Sequence, residues 1–155
     1  MIKALIFDFS RTLFFPKDKE YTGELNALHR KLAVNPSYDI LQNFEFNEEL
    51  MIFLRNLKNR YKLYLFTSGT IQDAPEIKYK VASLFEKIFS AEQMAISKKD
   101  LESYKRISRT LKLKPEEILF VDDLEDNILA AKYAGLNVFQ YKDNHSLMDY
   151  IDLLE

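Results

Sequence analysis

The chain has 155 residues, enough for one domain that buries a core without disulfide or metal support. Hydrophobic residues make up 47%, charged residues 30%, and the formal net charge is −2, a balance that gives neither nucleic acid nor an anionic membrane surface reason to bind. There is no cysteine, which excludes disulfides, thiolate metal sites and cysteine nucleophiles. No apolar stretch approaches the roughly 20 residues needed to cross a bilayer. The first residues read as a strand, not as a charged leader with a cleavage site, so a soluble, cytoplasmic protein is expected.

Lys3 to Phe7 is an apolar run that reads as a buried strand, and Asp8 stands just beyond it, with Ser10 and Thr12 in the following turn. Residues 14–46 fit no simple alternation. Phe14-Phe15-Pro16 begins a turn or flap, Leu25, Leu28 and Leu32 mark one amphipathic helix, Asn35-Pro36-Ser37 breaks it, and a short apolar piece follows at Tyr38 to Leu41. The segment reads either as a small insertion over a site or as an extra helical layer on the core.

From Asn47 onward the pattern is regular. Asn47 is placed to cap a helix carrying Leu50, Phe53, Leu54 and Leu57. A strand is predicted over Lys62 to Phe66, ending in Thr67-Ser68-Gly69. A helix over Pro75 to Phe85 and a weaker strand at Lys87 to Ser90 follow. Asp100 is placed to cap a helix with Tyr104, Ile107 and Leu111 on one face, and Lys98 lies just before it. A strand over Glu117 to Val121 runs into Asp122-Asp123, with Asp126 and Asn127 beyond. The helix Glu125 to Ala134 stops at Gly135, a good C′ residue. A last strand, Asn137 to Tyr141, and a helix from about Ser146 to Leu154 complete the chain.

Strands that are apolar throughout, alternating with helices, imply a parallel sheet covered on both faces. The fold class is therefore α/β: a three-layer, Rossmann-like sandwich of about five parallel strands, in one domain spanning residues 1–155. Such sheets bind ligands beyond the carboxyl ends of their strands. Asp8, Thr67-Ser68-Gly69 and Asp122-Asp123 all stand at those ends. Asp8 and Asp123 offer hard oxygen ligands for Mg²⁺, Lys98 offers a point charge for an anion, and Thr67, Ser68 and Gly69 offer a hydroxyl and N–H groups. Taken singly, Asp8 is an ordinary turn former, Thr67-Ser68-Gly69 an ordinary turn and Lys98 a surface lysine. Adjacent carboxylates at Asp122-Asp123 repel one another and call for a cation or strong donors. The two histidines, His29 and His145, lie away from these ends, against a histidine triad or zinc site.

In this order the motifs resemble the haloacid dehalogenase (HAD) superfamily, over nearly the whole chain. Phe7-Asp8-Phe9-Ser10-Arg11-Thr12-Leu13 is similar to the family's first motif, a strand followed by DxDxT. Leu65 to Gly69 is similar to the second, Lys98 stands at the lysine of the third, with Lys99 where proline often follows, and Val121-Asp122-Asp123 with Asn127 resembles the fourth. The resemblance implies a small-capped or capless phosphatase in which Asp8 attacks phosphorus and forms an aspartyl-phosphate. It implies Mg²⁺ held by Asp8, the Ser10 carbonyl and Asp123. Thr67 and Lys98 would act on the phosphoryl group, Ser10, Thr12, Ser68 and Gly69 would line the substrate, and Asp122 and Asn127 would support from behind.

Ser10 departs from the pattern. Family phosphatases carry there a second Asp, which protonates the leaving group and then activates water. Losing such a group typically costs about 10²- to 10⁴-fold. Three outcomes are open: substrates whose leaving groups need little protonation, a proton supplied by Asp18, Glu20 or His29, or a phosphate-binding protein with little turnover. The expected ligand is a small phosphate ester, and nothing in the sequence sets an oligomeric state. A dehalogenase fits less well, because those enzymes usually work without metal. A response-regulator-like phosphoacceptor is disfavoured by motif order, with the acceptor first and the paired aspartates late.

Overall fold

A computed structural model describes residues 1–154. In chain order the elements are β1 (Ala4–Phe7), β2 (Phe14–Pro16), α1 (Leu25–Leu32), α2 (Ile40–Asn43), β3 (Phe44–Phe46), α3 (Glu48–Leu57), β4 (Lys62–Thr67), α4 (Lys78–Leu84), β5 (Lys87–Ser90), α5 (Ala91–Met94), α6 (Leu101–Leu111), β6 (Ile118–Asp122), α7 (Glu125–Tyr133), β7 (Asn137–Gln140) and α8 (Asn144–Asp152). Five of the strands form a parallel sheet in the order β5-β4-β1-β6-β7. The α/β sandwich with about five parallel strands is thus the observed fold.

Strand β1 is central and buried on both faces. Leu5 and Phe7 point into one core with Leu63, Leu65, Leu119 and Val121, beneath Leu50, Leu54, Val81 and Ile151 of the helices on that side. Ala4 and Ile6 point into the other with Phe66 and Phe120, against Tyr104, Ile107, Ile128 and Ala131. Two-sided burial is why these strands read as continuous apolar runs. In register, Phe7 pairs with Leu65 on one side and Val121 on the other. The chain leaves β1 for β4 and β5 in one direction, then returns to β6 and β7 in the other. The carboxyl ends of β1 and β6 therefore flank the switch point, where a crevice opens.

The helices start close to their predicted positions, with physical reasons for the shifts. Asn47 Oδ1 accepts from Leu50 N and Asp100 accepts from Glu102 N, so α3 and α6 begin where the caps predict. Helix α4 starts at Lys78, three residues after Pro75, because residues 75–77 form a turn first. Helix α8 starts at Asn144, capped by Asp143, whose carboxylate accepts from Ser146 N.

Residues 14–46 contain an antiparallel pair as well as helices. Strand β2 pairs with β3 across the intervening α1 and α2, Phe14 facing Phe46 and Pro16 facing Phe44. Phe14 stacks on Phe9 with centroids 5.0 Å apart and on Phe44 at 5.4 Å, and it meets Phe46 at 4.8 Å. The aromatic cluster fastens this segment to the loop that follows β1. Asn47 fastens its far end. Its side-chain amide donates to Thr12 O at 3.0 Å and exchanges two hydrogen bonds with the Asn144 amide, at 2.7 and 2.9 Å. One residue thus ties the first loop, the start of α3 and the start of α8.

Asn47→Ala removes a helix cap and strands several polar partners, so it is expected to cost about 1–3 kcal/mol. Urea unfolding checks this, and an unchanged midpoint counts against the bracing role.

Candidate active site

Asp8 lies one residue past β1, and its backbone N–H still donates to Val121 O of β6 at 2.8 Å. That bond fixes the carboxylate at the crevice between the two strands. Behind it, Lys98 reaches in from the loop before α6. Its Nζ lies 2.6 Å from Asp8 Oδ1 and 2.7 Å from Asp122 Oδ2. All three side chains are almost wholly buried. The lysine stem passes between aromatic rings, with Nζ 5.4 Å from the Phe66 centroid and 5.6 Å from Phe120. Tyr104 Oη donates to the Lys98 carbonyl at 2.6 Å and holds its backbone.

Asp122 ends β6 and is fully bound. Oδ2 also accepts from Asn127 Nδ2 at 3.0 Å, and Oδ1 accepts from Leu124 N at 2.8 Å. Oxygens of Asp8, Asp122 and Asp123 come within 4.8 Å of one another. Three carboxylates face one ammonium, so full ionisation leaves two negative charges in a largely buried site. Burial pushes the Asp8 carboxyl up to about 8 against the pull of Lys98, and Asp122 and Asp123 add to the rise. Asp123 is pushed up to about 6, by burial first and by Asp122 next. For Lys98, burial opposes the charge, but Asp8 and Asp122 outweigh it and hold its pKa above the ordinary lysine value. One ammonium satisfies Asp122 and part of Asp8, and the remaining charge is the one a cation would offset.

The second strand end contributes differently. Thr67 is fully buried, and its Oγ1 has no hydrogen-bond partner within the protein. A buried hydroxyl in this state is a rare exception that calls for an explanation. Gly69 turns inward: its carbonyl accepts from Ser90 Oγ at 2.8 Å and Gln72 Nε2 at 2.9 Å. A Cβ at Gly69 would overlap the Asn26 carboxamide. That carboxamide, from α1, accepts from Thr70 N at 3.1 Å and Ile71 N at 3.0 Å, so α1 is docked on this loop through Asn26.

A cavity of about 190 Å³ opens over the carboxylates. Asp8, Ser10, Ser68, Asp123 and Asn127, all singled out from the sequence, line it. Thr12, Thr67, Gly69, Lys98 and Asp122 do not; they lie beneath or beside it. Thr12, expected to line the ligand space, is fully buried with its hydroxyl unpartnered, as Thr67 is, and is not among the lining residues. The segment leading into α1, expected as one of two readings to lie over the site, does line it, through Thr22, Gly23, Glu24, Leu25 and Asn26, none of which the sequence singled out for the site; Arg11 and Leu124 complete the lining. Asp18, Glu20 and His29 are not among the lining residues. Asp18 Oδ1 accepts from Glu20 N at 3.0 Å, and His29 Nδ1 is 2.9 Å from Tyr38 Oη.

A carboxylate centre with a buried lysine, at the switch point of a parallel sheet, marks an α/β protein that binds its ligand beyond the strand ends. A model of the haloacid dehalogenase-like hydrolases matches residues 11–135, well over half of the chain, and the chain belongs to that family. Enolase-phosphatase E1 of Anopheles gambiae is 33% identical over 122 residues, covering 76% of this chain and 41% of that protein. Its Hydrogenobaculum counterpart is 30% identical over 92 residues, 56% of this chain and 41% of the relative. The chain spans about two-fifths of the length of these curated relatives. Among solved structures, a subfamily IA HAD hydrolase from Geobacter sulfurreducens superposes with a TM-score of 0.74 at 21% identity, covering 99% of this chain and 97% of the other. A HAD family enzyme from Bacteroides thetaiotaomicron, solved with magnesium and inorganic phosphate, gives 0.65 at 17% identity over 95% of this chain and 99% of the other.

Lys98→Met keeps the stem and deletes the charge. Breaking a buried pair by removing one partner costs about 3–5 kcal/mol, and that loss is expected at pH 7. Carboxyls whose folded pKa lies above the unfolded value of 3.8 bind protons more tightly when folded. Their destabilising effect therefore grows as pH rises from about 4 towards 8. The variant's deficit should shrink at pH 5, and equal deficits at pH 5 and pH 8 in denaturant titrations would contradict the charge balance described.

Proposed function

We propose that the chain is a Mg²⁺-dependent phosphatase acting on a small phosphate ester through an aspartyl-phosphate on Asp8. The observation that carries this reading is the Asp8–Lys98–Asp122 cluster, with Asp8 Oδ1 held 2.6 Å from a buried ammonium and Asp123 close by. Lys98 engages Oδ1, which leaves Oδ2 to attack phosphorus. The lysine would also neutralise the phosphoryl oxygens, and Thr67 Oγ1 would donate to one of them. Asp122, held by Leu124 N and Asn127, keeps Lys98 aimed. A cavity near 190 Å³ suits a phosphoryl group with a small organic remainder.

The donor set fits a hard cation: the Asp8 and Asp123 carboxylates, both raised in pKa by burial and by Asp122, and the Ser10 backbone carbonyl. Bound there, Mg²⁺ would offset charge between the nucleophile and the phosphate. The Bacteroides relative solved with magnesium and phosphate supports the choice of both.

Ser10 itself cannot serve as the leaving-group acid. It also supports a second reading, in which the same site holds a phosphorylated ligand and turns it over little.

Hydrolysis of p-nitrophenyl phosphate is expected with Mg²⁺, not with EDTA, and not in Asp8→Asn. Activity retained in Asp8→Asn would remove the nucleophile assignment. Silence in the wild type with activity in Ser10→Asp would favour the binding protein.

Mg²⁺ should also raise the melting temperature, by the equivalent of about 2.7 kcal/mol at a concentration 100 times Kd. Protons compete for the same oxygens, so this stabilisation should be large at pH 8 and fade as pH falls through 6. A magnesium shift independent of pH argues for a different site.

A further inference from the structure

We propose that Glu24 is the catalytic acid that replaces the carboxyl missing at Ser10; the inference rests on the phosphatase reading. Three carboxylates line the cavity: Asp8, Asp123 and Glu24. Asp8 is the nucleophile and Asp123 belongs with the cation, which leaves Glu24 free for proton transfer. Its side chain makes no cap hydrogen bond although it occupies the N-cap position of α1, and it is solvent-exposed at the cavity wall. The three candidates suggested by sequence lie outside the cavity, two of them joined to each other and the third bonded to Tyr38.

Glu24 is held over the site by anchors on both sides. Arg11, the residue after Ser10, sends Nη2 to Tyr21 O at 3.0 Å and Gly23 O at 2.8 Å. Arg11 adopts φ 58°, a conformation that non-glycine residues seldom take, and these two bonds offset its strain. Tyr21 Oη donates to the Glu24 carbonyl at 2.9 Å. On the other side, Asn26 is fixed to Thr70 N and Ile71 N beyond the second strand end. The anchors root Glu24 in the loop that carries Ser10 and in the loop that follows Thr67. The loop that lacks the usual carboxyl thus holds, through its arginine, the backbone just before a glutamate that lines the cavity.

The proposed steps balance. As Asp8 Oδ2 bonds to phosphorus, the bond from phosphorus to the leaving oxygen breaks, its electron pair stays on that oxygen, and the Glu24 carboxyl proton joins it to give the alcohol. Glu24, now a carboxylate, takes a proton from water as the water oxygen bonds to phosphorus. The bond to Asp8 breaks, its carboxylate returns and inorganic phosphate leaves.

The test uses the whole chain with Mg²⁺ and two substrates, p-nitrophenyl phosphate and the alkyl ester β-glycerol phosphate. The quantity kcat/KM reports steps up to formation of the phosphoenzyme, and p-nitrophenolate needs no proton to leave. Glu24→Gln is therefore expected to lower kcat/KM on the alkyl ester by about 10²- to 10⁴-fold. On the aryl ester kcat/KM should change less than about threefold while kcat falls, because water attack has lost its base. Ser10→Asp added to Glu24→Gln should restore alkyl turnover. Equal losses on both esters, as from a structural role, or no loss on either, overturn the assignment. So does a wild type inactive on both esters beside an active Ser10→Asp variant. Inactivity of the wild type and of Ser10→Asp alike removes the phosphatase reading itself.

Discussion

The Lys98 ammonium, buried between Asp8 and Asp122, is the interaction on which the rest of the site depends. A lysine is seldom buried unless paired, and here the pairing joins three separate pieces of chain. Asp8 follows the central strand, Asp122 ends its neighbour, and Lys98 comes from the loop before α6. Only the parallel arrangement of β1 and β6, register-matched from Ala4–Ile118 to Phe7–Val121, delivers both carboxylates to one ammonium. The cluster is not self-sufficient. Exchange of a buried ion pair for apolar side chains is often neutral or stabilising, so the fold does not rest on the cluster, which is held by the hydrophobic layers on either side.

The charge imbalance explains why the neighbouring groups look as they do. Asp122 takes every donor nearby: Lys98, Asn127 and Leu124 N. Asp8 shares the Lys98 ammonium with Asp122, and Asp123 has its own backbone N–H and the Asp8 side chain. The carboxyls with the fewest donors are the ones whose proton affinity burial raises. A site that keeps one carboxylate fully satisfied and two short of positive charge is divided between a settled support and a region with unbalanced charge. Thr67, buried and unpartnered, belongs to the second part.

Much of this was legible in the sequence because the sheet imposes a simple code. Two-sided burial makes runs such as Leu119-Phe120-Val121 apolar throughout, and chemistry then stands out as polar residues at their ends. Asp8, Lys98, Asp122, Asp123 and Asn127 are found in that way, and Asn47 and Asp100 are found as caps. What escaped is what depends on contact between distant residues. Strands β2 and β3 are three residues each, and Phe14 meets Phe46 only once α1 and α2 have folded between them. Thr12 lies in the motif loop as a candidate for the ligand, yet its carbonyl is taken by Asn47 and its side chain turns inward. For Glu24 the sequence did hold a weak signal. Helix N-caps favour Ser, Thr, Asp or Asn, and a glutamate there, just ahead of the Leu25, Leu28 and Leu32 stripe, caps poorly and leaves its carboxylate unspent.

Arg11 joins the two halves of the site. A residue at φ 58° after Ser10 turns the first loop away from β1, and Phe9 O then accepts from Leu13 N and Phe14 N in a tight turn. The turn sends Phe14 into the aromatic cluster, and the arginine side chain reaches forward to grip Tyr21 and Gly23. The same short stretch therefore shapes the loop after Asp8, leads into residues 14–46 and holds Tyr21 and Gly23 beside the cavity. Both bonds come from one nitrogen, Nη2, at the end of a long side chain. Residues 14–46 share the main core through Phe14, Leu25, Ile40 and Phe44, and their position over the cavity comes from the loops after β1 and β4, to which Arg11 and Asn26 bind them. The position of any group they carry, Glu24 included, is then set by those two loops.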